Sequence, residues 1–395
     1  GATCATISGG KWNTASSVYS TIGGGSWNTA KGENSVVSGG RGNTVLAGSA
    51  VIGGGLYNSV WGAYSVVAGG EGNTALGDST VISGGRWNTA QSGRANVISG
   101  GTSNKHYGVY GTISGGQSNV ANGTAATIGG GAWNVVRDEY VVVSGGRLNT
   151  IAATATYATV GGGWANTVRS PKGVISGGYN NFVNNTGATI GGGDTNTATA
   201  LFSTIGGGGY NTVRDESGVV AGGSDNTVIG ASSVISGGSA NTINAGYVVI
   251  AGGSQNRASG RNAVIGGGTF HTAEGESSTV AGGDSNTALG NFSFVGGGKT
   301  NTARALNAVV AGGESNTVIG VYGAIAGGFG NTVEGAKAFI GKSNNSSINS
   351  TTCQSSLYTT TCRVRTCGRS GLRYHLLAAL RRFSLEATCF SCYIH

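Results

Sequence analysis

The 395-residue chain has no methionine, one proline, four histidines and only 15 acidic residues. No apolar run approaches the roughly 18 residues a membrane-crossing helix needs, so no transmembrane segment is expected. One proline and no Gly-X-Y period exclude a collagen. Charged residues make up 10% of the chain, against about a quarter in an ordinary globular protein. A two-domain enzyme of this length would hold more acids and histidines, so composition points away from catalysis. The Gly-x-Ser-x-Gly elbow, His-Glu-x-x-His, a P-loop ending in Gly-Lys-Ser/Thr and calcium-binding nonapeptides are missing as well. No enzyme activity, cofactor or metal site is therefore expected. Abundant Val, Ile and Ala with a net charge of +8 argue against disorder. Without Met at position 1 the chain reads as a processed or excised product, and no signal peptide remains in it.

What is present is glycine, 79 residues, arranged in a repeat. Ile or Val, a small residue and Gly-Gly recur every 15 residues from Ile7 to Ile325, with one step of 16 (82 to 98) and one of 17 (143 to 160). Taking the Ile/Val as position 1 gives 22 full repeats over residues 7–339 and a degraded one at Ile340. Gly-Gly fills positions 3 and 4 of all 22, and position 7 is Asn in 21, with His271 the exception. Position 8 is Thr in 16, and position 9 is Ala, Val or Ile except at His106. Such regularity belongs to a solenoid, in which each coil meets only copies of itself.

A 15-residue unit is too short for a helix pair, and paired Gly with β-branched residues opposes helix. The expected fold is all-β: a single-chain β-solenoid, or parallel β-roll, of about 22 coils. Each coil would have strand A at positions 14 to 2 and strand B at positions 7 to 9. Alternation along a strand predicts positions 1, 3, 7 and 9 inward and 15, 2 and 8 outward. At roughly 4.8 Å per coil the rod would be on the order of 105 Å long. The Asn column, beginning Asn13, Asn28, Asn43, Asn58, Asn73 and Asn88, is read as a structural ladder of stacked amides.

The motif Ile82-Ser-Gly-Gly-Arg-Trp-Asn-Thr-Ala90 resembles the head repeats of YadA-type trimeric autotransporter adhesins and related Gly-Gly-x-x-Asn-Thr repeat surface proteins. That resemblance spans residues 7–339 and implies a left-handed parallel β-roll with three chains in a head. The period here is one residue longer, and Gly stands where the family has an inward Ile.

Residues 340–395 differ in composition. They hold seven basic residues and one acid, so most of the excess charge lies here and the rod is no nucleic-acid surface. Five of six cysteines are here: Cys353, Cys362, Cys367, Cys389 and Cys392. Residues 372–387 read as one short helix, either capping the last coil, lying on a membrane surface or serving assembly and sorting. Cys389-Phe-Ser-Cys392 has zinc-like or redox spacing but no matching second pair, so disulfides are the stronger reading. Together with Cys4 the cysteines number six, and Cys4 is the candidate for a link between subunits.

Two features could bind partners. Aromatics recur at positions 5 and 6, including Trp12, Trp27, Trp87, Trp133 and Trp164; they would either pack on the neighbouring turn or engage carbohydrate or a host surface. The outward row at position 15, with Val81, Val234 and Val264, suits lateral assembly. The expected function is a secreted or cell-surface structural rod that self-assembles laterally and head to tail. An adhesin head and an ice-binding protein are the alternatives.

Overall fold

The computed structural model describes residues 4–91 and 93–349. Within that range the chain is an all-β parallel solenoid. Each coil contributes two strands, of two residues each, such as Thr21–Ile22 and Thr29–Ala30, except that strand A lengthens to six in Ala324–Phe329 and Phe339–Asn344. Strand A occupies positions 15 and 1, strand B positions 8 and 9. Each pairs in parallel with its counterpart one coil on, Thr21 with Val36 and Thr29 with Thr44, building two stacks of 23 strands. The strands are thus shorter than the repeat pattern predicts. A twenty-third coil continues the ladder through Phe339–Asn344 and Ser347–Ile348. The tail readings, the 372–387 helix and the five tail cysteines lie outside the described residues, while Cys4 has a free, exposed thiol.

The core is narrow. Ile or Val at position 1 faces Ala, Val or Ile at position 9, and both columns are fully buried from coil 2 to coil 21. Position 14 forms a third buried column, of small residues such as Ser35, Ala50 and Ala126. It compensates position 9 in volume. A methyl group added at Gly173, Gly218 or Gly323 would run into the Val side chains of position 9 in the same and the next coil.

Backbone hydrogen bonds stitch the coils together in both directions. The N–H groups of positions 15, 2, 5, 8 and 10 donate to the following coil, as in Thr21 to Ser35 O and Ser26 to Gly40 O. Positions 6 and 13 donate backwards, Trp27 to Lys11 O and Asn34 to Val18 O. These two positions adopt positive φ throughout the repeats: 62° at Trp27, 55° at Asn34, 59° at Tyr64. A left-handed residue rotates its N–H towards the opposite neighbour, which turns the chain at each edge and leaves few donors orphaned.

One expectation is corrected. Position 3 does not face inward: Gly24 is half-exposed, and a methyl group added there would meet nothing. Gly-Gly lies beyond the two-residue strand, so strand alternation no longer applies to it. Position 4 is the crowded one. Gly178, at φ 89°, sits so close to the Gly193 carbonyl that no side chain fits. Gly178→Ala should therefore cost several kcal/mol locally, combining backbone strain with the collision, on the order of 3 kcal/mol or more. Gly177→Ala, one residue earlier, should cost about 1 kcal/mol or less. Hydrogen exchange of coils 11–13 in the two variants checks the ranking, and equal protection would refute it.

Candidate functional site

The Asn column forms one continuous hydrogen-bonded ladder. Asn28 Nδ2 donates to Gly24 O at 3.0 Å in its own coil and to Gly40 O at 2.9 Å in the next. Its Oδ1 accepts the backbone N–H of Asn43 at 3.0 Å. The same pattern passes through Asn43, Asn58, Asn73 and Asn88, all fully buried. Asn13, on the first coil, is half-exposed but makes the same bonds. The ladder ends at Asn331, whose Oδ1 accepts from Ser346 N at 3.0 Å. With donors and acceptor already committed to backbone, these amides have little left for a ligand.

His271 keeps half of the pattern. Its N–H donates to Asn256 Oδ1 at 2.9 Å, and its Nδ1 accepts from Asn286 N at 3.0 Å. Nε2 is buried without a partner, so the two Asn donor bonds have no replacement. A shorter counterpart of the ladder runs along position 14, which the repeat pattern did not single out. Asn96 Nδ2 donates to Gly108 O at 2.7 Å and its Oδ1 accepts Gly111 N at 3.2 Å. Ser65 Oγ makes the equivalent bonds to Gly77 O and from Thr80 N. The signal was present in the frequent Ser of that column.

His106 replaces the small apolar residue of position 9 and is fully buried. It fits because position 14 of its coil is Gly111, where any side chain would strike the imidazole. Neither ring nitrogen has a well-formed hydrogen bond. Desolvation pushes its pKa down to about 4, offset only in part by the nearby backbone of Ala126 and Gly108. Burial lowers His271 likewise.

The aromatic residues of positions 5 and 6 are all exposed, from 39% at Trp133 to 65% at Trp12. They also pack between coils: Trp12 and Trp27 stack at 4.6 Å between centroids, and the Arg147 guanidinium lies between Trp133 (4.7 Å) and Trp164 (5.8 Å). Tyr57 and Trp87 lie over Gly42 and Gly72 of the preceding coils. The packing reading thus describes part of their surface, and the rest is exposed to solvent. A second aromatic column, unnoticed in the repeat, occupies position 13 on the opposite edge, with Tyr19, Tyr64, Tyr110 and Tyr140 exposed. Its residues are scattered among Ser and Asn in the sequence, and only their shared positive φ groups them.

Strand A presents an uncharged face. No charged residue occupies positions 15, 2, 3 or 4 in any of the 22 repeats. Val264 in the position-15 row is 38% exposed, while Val81 and Val234 are half-buried. Compared with known protein families, the chain matches no family model, and no curated protein matches it. The geometry by itself establishes a repeat β-roll.

Two outcomes test this description. Asn181→Ala deletes four side-chain bonds, two donated to Gly177 O and Gly193 O and two accepted from Asn196 N and Nδ2, and strands the buried Asn196 N–H, so the central coils should lose roughly 2–4 kcal/mol. Hydrogen exchange should show the loss confined to neighbouring coils; unchanged protection there would contradict a structural ladder. The second concerns acid. His106 is neutral when folded and regains an ordinary pKa of 6.5 on unfolding, so the unfolded chain binds the extra proton. Its contribution is full above about pH 6.5 and is lost as pH falls towards 4, on the order of 3 kcal/mol. His106→Ala should flatten the acid-induced loss of protection in coils 6–8, and a variant as acid-sensitive as the parent would refute the assignment.

Proposed function

We propose that the protein is a non-enzymatic structural rod, secreted or held at a cell surface, that assembles side by side through its strand-A face. The supporting observation is the confinement of every charged residue of the repeats to the other positions. The strip of Val, Thr, Ser, Ala and Gly left uncharged is about 100 Å long by the 4.8 Å step. A continuous strip of that length exceeds the apolar patches of ordinary monomers. Each coil that carries it is hydrogen-bonded to the coils on either side, so little order needs to be gained on association. An extracellular location is supported by the tail cysteines, which suit an oxidising compartment. No cofactor or metal takes part. Head-to-tail stacking of coils, with Cys4 linking subunits, is a further element of the reading.

A second reading, the head of a trimeric surface adhesin, is favoured by the YadA-type repeat resemblance and by the exposed aromatic columns, which could stack on carbohydrate or a host surface. Ice binding fits less well. The outward Thr row of strand B is interrupted by exposed Lys105 and Arg257, and a regular hydroxyl array is lost there.

Val81→Lys, Val234→Lys and Val264→Lys combined should disperse assemblies seen by electron microscopy while the β-type circular dichroism persists. Filaments or sheets in the parent support the rod; discrete trimeric heads support the adhesin. Assemblies unaffected by the three lysines would eliminate the strand-A face as the contact.

A further inference from the structure

Charge along the turn at positions 5 and 6 is sorted by height. Position-5 residues stack directly in an unbroken ladder of parallel bridges from Lys11 to Phe329, so place in sequence is height on the rod. The cations Lys11, Arg41, Arg86 and Arg147 fall in coils 1–10; the anions Asp194, Asp225, Asp284 and Glu314 fall in coils 13–21. The two exceptions each stand next to opposite charge in the ladder. Glu71 pairs with Arg86 at 3.1 Å, and Lys299 stands in the ladder between Asp284 and Glu314. Among the described residues no other ion pair forms, so Lys11, Arg41 and Arg147 below and Asp194, Asp225, Asp284 and Glu314 above have no ion-pair partner there.

We propose that two copies of this chain pair along this turn in antiparallel fashion, about a two-fold axis at coil 11. Coil 1 then meets the partner's coil 21, and coil 3 the partner's coil 19. Lys11 faces the partner's Glu314 and Arg41 faces the partner's Asp284, each contact made twice, as an isologous interface requires. Arg147 comes within one coil of the partner's Asp194. No like charges face each other directly in this register, because Glu71 meets the partner's Ser254 and Lys299 meets the partner's Ser26; Lys299 lies one coil from the partner's Lys11 and the partner's Arg41. Of the exposed rings, Tyr57 meets the partner's Phe270 and Trp164 meets its own copy on the axis. Parallel in-register pairing would instead set every charge against itself. A contact about 100 Å long and on the order of 10 Å wide covers roughly 1,000 Å² per copy, above the roughly 800 Å² of a standard stable interface. Individually exposed ion pairs add little affinity, but together they fix register and direction.

The pairing rests on the reading of the chain as a self-associating rod, yet it uses a different surface from strand A, so the two can fail separately. Sedimentation of the full chain already bearing the three strand-A lysines should still show a dimer at about 20 mM salt, weakened at least tenfold at about 500 mM. Arg41→Asp or Asp284→Lys alone should weaken it similarly, and the two together should restore it. Direction is read by zero-length carbodiimide coupling in the Arg41→Lys variant, with the join between position 41 and Asp284 found by peptide mass spectrometry. Sixteen coils, roughly 77 Å, separate those positions within one chain, so the join must be between copies. A monomer at low salt, a double variant no better than the singles, or the absence of that join overturns the antiparallel pairing and leaves the strand-A reading untouched. Dispersal of the parent's larger assemblies by the three lysines speaks for strand A, and the dimer that remains speaks for the antiparallel pairing.

Discussion

The amide of position 7 is the interaction on which the rest of the coil depends. Its two donor bonds tie the Gly at position 3 of its own coil to the Gly at position 4 of the next, and its oxygen holds the next amide's N–H. Each Asn therefore fixes both the shape of one turn and the height of the following coil. That explains why both insertions, of one residue before Val97 and of two before Thr159, fall in the turn from strand B back to strand A. There position 14 is mostly Ser, Ala or Gly, with Asn96 bonded to Gly108 O and Gly111 N in the coil of the first insertion, and an added residue does not interrupt the position-7 ladder. The turn bearing the amides shows no change of length, because one added residue would separate three bonds at once.

Glycine at position 4 follows from the same constraint. The amide can reach the next coil's carbonyl only if that carbonyl comes closer than any Cβ would permit, and the φ near 90° that delivers it is open to glycine alone. Position 3 obeys a different rule. In about half of the repeats its φ lies near 155°, as at Gly54 and Gly84, which again favours glycine. In coils such as those of Gly177 and Gly222 there is open space for a side chain. The glycine there leaves the strand-A edge low and smooth, a property of the surface more than of the coil.

Much of this was legible from the repeat. The period, the parallel stacking, the Ile/Val and Ala/Val columns and the buried amides all follow from residues that recur at fixed positions. The errors arise where a rule was carried beyond its element. Alternation holds only inside a strand, and strands of two residues end before Gly-Gly. Propensity gives left-handed turns to glycine, yet Trp27, Tyr57 and Tyr64 adopt them. Each such residue costs of order 1–2 kcal/mol in isolation. The cost is offset by the backward hydrogen bond and by ring packing over the previous coil's turn, neither of which a single repeat contains. The sorting of charge along the turn was hidden for another reason. A net charge is a sum over the rod, and opposite halves cancel in it.

A solenoid of this kind lets exceptions remain local. His106 and His271 each replace a repeat residue with one that leaves polar nitrogen buried and unpartnered. In a single cooperative core two such groups would weaken the whole domain. Here each coil contacts only its neighbours, so the penalty stays within about one coil on either side. The same locality frees the outer positions from the fold. Once the amide ladder sets each coil's height, the residues at positions 5 and 6 need only to reach solvent, and their sequence can vary without disturbing the stack. Variation along a rigid, evenly spaced column then becomes a pattern in space, with cations low and anions high. A rod whose coils are nearly identical in shape is distinguished end from end by that pattern, and the directional information it offers to another rod resides in the residues the fold does not use.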